Sequence, residues 1–187
     1  MKINKVKIFF TSIDVIEDEL SKINEDSKQN ARDKGVISKY SLNFEDFLAL
    51  EYNPLDMKAI FWQPINKDYT MMLSNLIDGW QTLGYILNKV KGIQMLDLSL
   101  MDDYVQFNFN DDRFIRVMWD DRWDFYEFGQ PLPFENTQQY KARLKKDRLT
   151  PEMVEEYANY FGVDLRDPNM YITDKEAIYF TKNSRRE

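Results

Sequence analysis

Residues 93–128, IQMLDLSLMDDYVQFNFNDDRFIRVMWDDRWDFYEF, decide the fold. Leu96, Leu98 and Leu100 fall on one face of the first segment, with Asp97 and Ser99 on the other. Tyr104–Phe109 alternates again, setting Val105, Phe107 and Phe109 against Gln106 and Asn108. Successive side chains of an extended chain point to opposite faces, so a period of two marks strands. Asn110-Asp111-Asp112 turns the chain into Arg113–Trp119, and Asp120-Asp121 turns it into Arg122–Phe128. Asn and Asp suit such turns because their short side chains bond the local backbone and tolerate left-handed conformations. Aromatic and β-branched content completes the pattern of an antiparallel meander.

Working outward, Lys2–Thr11 reads as a strand. Ser12 can cap a helix whose apolar positions Ile13, Ile16, Leu20 and Ile23 recur at helical spacing. Residues 24–35 are polar up to Gly35, which is read as the end of the stretch; it is a fraying, solvated continuation of that helix or a mobile linker. Phe44, Phe47, Leu48 and Leu50 suggest a short helix after Ser41 or Asn43, closed by Asn53-Pro54. Residues 57–65 read as a strand with Pro64 near its end. In Tyr69–Val90, Met72, Leu73, Leu76, Ile77, Trp80, Leu83, Leu87 and Val90 make a broad stripe, predicting a long helix capped by Thr70 and closed at Gly92. Gly79 and Gly84 inside it each cost ~1 kcal/mol against alanine. They imply close packing on the sheet, or a ligand approaching the backbone near Asp78-Gly79-Trp80.

Past the meander, Gly129–Phe134 is a connector, because Pro131 and Pro133 cannot donate to a ladder. A helix is expected over Thr137–Lys146, and another from Thr150 with Pro151 at its first position, ending at Gly162. Asp167-Pro168-Asn169 is a turn, residues 176–182 a last strand, and residues 183–187 a frayed tail. These elements predict a single α+β domain over 1–187. The meander over 93–128 gains edge strands from 1–11, 57–65 and 176–182, and is packed by the 69–90 helix and the C-terminal helices.

Composition narrows the chemistry. The 187 residues contain no cysteine and no histidine. Disulfides, thiol catalysis, cysteine-ligated metals and every histidine-dependent triad are excluded. Catalysis would have to rest on carboxylates, Lys, Tyr, Ser or Thr, and no cofactor is expected. No segment approaches the ~18 apolar residues of a membrane span, and the N-terminal stretch lacks the pattern of a signal peptide, so a cytoplasmic location is expected. A net charge of −7 disfavours nucleic acid and suits a basic protein partner.

Three constellations could carry function. The first is the acidic turn Trp119, Asp120, Asp121, Arg122, Trp123 and Asp124. Residues 97–127 hold nine acids against three arginines. Such density suits hairpin turns, protein recognition through Trp and Arg beside carboxylates, or a hard cation. No calcium-loop spacing is present. The second is the basic stretch Lys141, Arg143, Lys145, Lys146 and Arg148, with a local +3 over 135–148. It reads as a solvated face, a neutraliser of the acidic meander, or a phosphate contact. The third, Asp56-x-Lys58, matches the carboxylate–lysine pair of metal-dependent nucleases at only two residues.

In size, charge and aromatic content the chain resembles the small acidic proteins that bacteria encode as immunity partners of secreted toxins. The resemblance supplies no site residue; it implies a binding protein with a basic partner. With no catalytic pattern present, the expectation is protein–protein binding through Trp119–Asp124. The alternative is a carboxylate-dependent, metal-assisted enzyme, which needs at least two of those acids to converge in a cleft. A structural or assembly role would call for a large exposed apolar patch.

Overall fold

The computed structural model describes residues 5–26, 35–45 and 55–183. They form a strand-rich α+β protein with nine strands, and every recorded register is antiparallel. The chain divides into two compact units: Lys5–Val6 with Met95–Pro168, and Lys7–Gln94 with Asn169 onward.

The first unit is the expected meander: β5 (Met95–Leu100), β6 (Tyr104–Phe109), β7 (Arg113–Asp120) and β8 (Arg122–Phe128), consecutive in hydrogen-bonded order. The register sets Leu98 against Phe107 and Phe107 against Ile115, all fully buried. Helix α3 (Pro151–Asn159) begins as expected, with the Thr150 hydroxyl accepting from the Met153 N–H and Pro151 in the first turn. It brings Tyr157 edge-on to Phe107, with ring centroids 5.5 Å apart. Phe134 stacks on Tyr160 at 4.4 Å and meets Phe161 edge-on, adding roughly 0.5–1.5 kcal/mol per pair beyond burial.

The second unit orders its strands β2 (Gly35–Tyr40), β9 (Ala177–Asn183), β3 (Asp56–Trp62), β4 (Thr70–Ser74) and, from Lys7 on, β1 (Lys5–Phe9). Helix α1 (Ile13–Asp26) buries Ile13, Ile16 and Leu20, the stripe read from the sequence. Trp62 is fully buried and donates its indole N–H to the Met170 carbonyl at 2.7 Å.

Several expectations are corrected. Strands β1, β3 and β9 are not edge strands, since each has a neighbour on both sides. Residues 69–90 are not one helix. Thr70–Ser74 is a strand buried on both faces, and only Gln81–Tyr85 (α2) and a π-helical turn, Ile86–Val90, are helical. A short apolar run buried on both sides looks the same as a buried helix segment. Gly79 at φ 67° and Trp80 at φ 54° make the break, which no helix accommodates. The helix expected over Thr137–Lys146 is two separate 3₁₀ turns, Gln139–Lys141 and Lys145–Asp147. A carbonyl that helix would use internally goes to a side chain instead, since Ala142 O accepts from Arg148 Nε.

Gly35 opens strand β2, which periodicity missed. Phe44-Glu45 is helical, but Phe47, Leu48 and Leu50 lie outside the described residues, as do 27–34 of the expected linker and 184–187 of the expected tail. Among the described residues no helix is long and apolar enough to cross a membrane.

Candidate functional site

The turn Trp119–Asp124 lies in the first unit, at the tip of the β7–β8 hairpin. Asp120 pairs with Arg122 across Asp121, whose φ of 56° is the left-handed conformation that Asp tolerates. Trp119 and Trp123 sit opposite each other with rings at 5.4 Å and 67°, an edge-on pair that stiffens the tip. Trp119 remains 52% exposed, and Asp120, Asp121 and Arg122 are exposed beside it.

The meander brings a second acidic turn to the same end. The Trp119 N–H donates to the Asp103 carbonyl at 2.8 Å, so Asp102-Asp103 borders Asp120-Asp121. The other carboxylates go elsewhere. Asp97 is buried on β5 beside Ser99, while Asp111 accepts from Asn108 Nδ2 at 2.6 Å in the opposite turn. Glu127 accepts from Arg113 at 3.1 Å. Asp124 pairs with Lys145 at 2.9 Å, a bond that holds its carboxyl below the usual range. The basic stretch therefore does neutralise the meander at Asp124. Among the described residues no group of three carboxylates is placed to hold a metal ion.

Next to the acidic tip, the outward face of β7 and β8 is aromatic. Arg116 lies over both Phe114 and Tyr126, at 5.9 and 5.8 Å from their centroids. Tyr126 is 47% and Phe128 56% exposed. Tyr104 on the same face has its phenol pushed up by burial, opposed by Arg116. The arrangement offers carboxylates, a guanidinium and rings side by side, which suits recognition of a charged polypeptide.

The remaining sequence candidates resolve as local structure. Lys58 pairs with Asp56 at 2.8 Å on β3. At Asp78-Gly79-Trp80 the Asp78 carboxylate accepts the Trp80 N–H at 2.9 Å, and Trp80 stacks on Phe180 at 5.4 Å. In the second unit, an open cleft of about 420 Å³ runs along Ser41, Leu42 and Tyr171–Glu176. Lys175 on its wall is held by Asp14 and Gln63 at 3.1 and 3.2 Å.

Sequence reasoning missed a buried polar cluster. Arg113 Nε donates to both Glu135 oxygens at 2.8 and 3.0 Å, and Nη2 to Oε2 at 2.6 Å. The two side chains are 2% and 0% exposed. Burial works against the Arg113 charge, but the bonds from Glu135 and Glu127 outweigh it and hold the proton more tightly than usual. Tyr140 donates to Glu135 at 3.0 Å and meets the Tyr157 hydroxyl at 3.0 Å. Burial pushes both phenols up. No spacing signals this cluster, because Arg113 and Glu135 are 22 residues apart. The cluster faces no solvent and anchors the connector that follows β8. Comparison of the chain with protein families, curated proteins and solved structures finds no match.

Proposed function

We propose that the protein acts by binding another protein, and that the tip and outward face of the β7–β8 hairpin form the contact. The partner is basic, and an immunity-type role against a basic bacterial toxin fits this chemistry. The reading rests on one observation: half-exposed rings stand along one hairpin with exposed carboxylates, Trp119 next to Asp120 and Asp121 at the tip, and Tyr126 and Phe128 further along β8 on the other face, Tyr126 next to Asp124. Exposed rings flanked by charge are the residue types that carry most of the energy of interfaces. Of the six residues Trp119–Asp124, Asp124 is already paired with Lys145, in a solvent-exposed ion pair.

The test is capture by the tagged protein from its own cells, read by mass spectrometry at low and moderate salt. A single dominant basic partner, weakened by salt, is expected. Asp120→Lys with Asp121→Lys should reduce its capture by about ten-fold or more, since like charge at an interface costs several kcal/mol. Circular dichroism should be unchanged. A variant that still captures the partner in full would remove the site assignment.

A further inference from the structure

We propose that the partner docks by adding an extended, basic segment as a further strand along the outer edge of β8; this rests on the protein-binding reading above. Strand β8 ends the hydrogen-bonded order. Its register with β7 runs unbroken from Asp120↔Arg122 to Phe114↔Phe128, so no bulge interrupts it. Its sequence, RWDFYEF, contains neither proline nor lysine. Bulges, prolines and brevity are among the devices by which sheets protect their edges, and β8 has none of these; what guards it is its own charges, Arg122, Asp124 and Glu127, and the 3₁₀ turn Lys145–Asp147, which lies against it and pairs Lys145 with Asp124.

The backbone phase identifies the free groups. The Trp119 N–H points away from β8, towards Asp103, and the Asp112 N–H closes the β6–β7 turn onto Phe109 O. Peptide directions alternate along an antiparallel strand. Residues 113, 115, 117 and 119 therefore face β6, while Phe114, Arg116, Met118 and Asp120 face β8. By the pairing of Arg116 with Tyr126 and Met118 with Asp124, the inward-facing residues of β8 are Arg122, Asp124, Tyr126 and Phe128. Trp123, Phe125 and Glu127 present N–H and C=O groups outward, the Phe125 N–H towards the neighbouring Asp124 carboxylate. Among the described residues no backbone bond beyond the β7 ladder reaches Arg122–Phe128.

Charge selects the occupant. The edge is flanked by Asp120 and Asp121 beside the exposed Arg122, and by Asp124 and Glu127, which pair with Lys145 and Arg113; the chain carries −7. A second copy would bring the same carboxylates face to face, whereas a basic segment meets them and can lay a cation over Tyr126. Lys145 on Asp124 is already one cation in that position, in a solvent-exposed pair that a competitor displaces at little cost. Added strands take their affinity from main-chain bonds and their selectivity from alternate side chains.

The probe is a labelled, end-blocked decapeptide of alternating lysine and valine, followed by anisotropy and by amide hydrogen exchange on ¹⁵N-labelled protein. Binding should slow exchange about ten-fold or more at Trp123, Phe125 and Glu127, leaving Asp124 and Tyr126, already paired with β7, unchanged. The same peptide N-methylated at alternate residues should bind about ten-fold more weakly or worse, since it lacks the donors of one edge. Absence of binding, or binding without protection at those three amides, overturns the proposal. Protection of the same amides that grows with protein concentration in the absence of peptide assigns the edge to a second copy and overturns the basic occupant. If capture of a cellular partner still depends on Asp120 and Asp121 while these amides stay unprotected, the edge assignment fails and the protein-binding reading stands.

Discussion

Arg113 has five N–H donors, and every one has an acceptor: Glu135 through Nε and Nη2, Glu127 through Nη2, and the Phe128 and Gly129 carbonyls through Nη1. One side chain thereby holds β7, the end of β8 and the connector together. Gly129 is part of the same junction. Its φ is 84°, and a Cβ there would collide with the Asp112 carbonyl oxygen, so no other residue fits without moving the 110–112 turn. Removing one partner of a buried ion pair leaves the other charged and unpaired, so Arg113→Met alone should cost about 3–5 kcal/mol. Arg113→Met with Glu135→Leu should cost clearly less than the sum of the two single changes. Urea denaturation of all four proteins measures the coupling, and simple additivity would count against it. In the sequence, Arg113 is only the residue after an Asn/Asp turn, and Glu135 only an acid ahead of a basic stretch. Their pairing is a property of the folded junction, which local patterns do not encode.

Among elements, β6 and β8 were legible to the residue because alternation and turn chemistry agree there. Helix α3 was legible for the same reason, with cap, proline and apolar face all pointing one way. Legibility failed where tertiary burial erased the period, as at β4, and where a side chain captured a carbonyl a helix needs, as over 137–146. The acidic tip was legible as residues, but its company was not: that Asp102-Asp103 would lie beside it follows from the meander's alternating ends. The connector 129–140 and helix α3 meet through Tyr140 and Tyr157, and that contact carries a pH dependence. Both phenols are raised above their ordinary 10.0, chiefly by burial. The unfolded chain therefore releases these protons at lower pH than the native one does. Their contribution is fully present below pH 10 and is lost as pH climbs above it. Urea midpoints should be level from about pH 7 to 9 and fall beyond about 10, and Tyr140→Phe should flatten the fall. A curve of unchanged steepness in that variant would place the titration elsewhere.

For the whole molecule, the net charge of −7 bears on encounter rather than on fold. The association rate with a captured basic partner should drop about ten-fold or more between 50 and 500 mM salt, while dissociation changes much less. Stopped-flow fluorescence, using the tryptophan pair at the hairpin tip, reads both rates. A salt-independent association rate would show that the acidic end does not steer the encounter.

The position of β9 has a consequence for how the chain comes to be folded during synthesis. The meander pairs neighbours in sequence and can close as soon as its last residue is made. Strand β2 has no partner in the order except β9, through contacts such as Gly35↔Lys182. It must therefore wait until β9 has been translated, with one flank of β3 open for the same interval. Pairings of such long sequence separation form slowly and leave strand edges uncovered meanwhile. The second unit is the one whose completion depends on a strand made long after its partners, Ala177–Asn183.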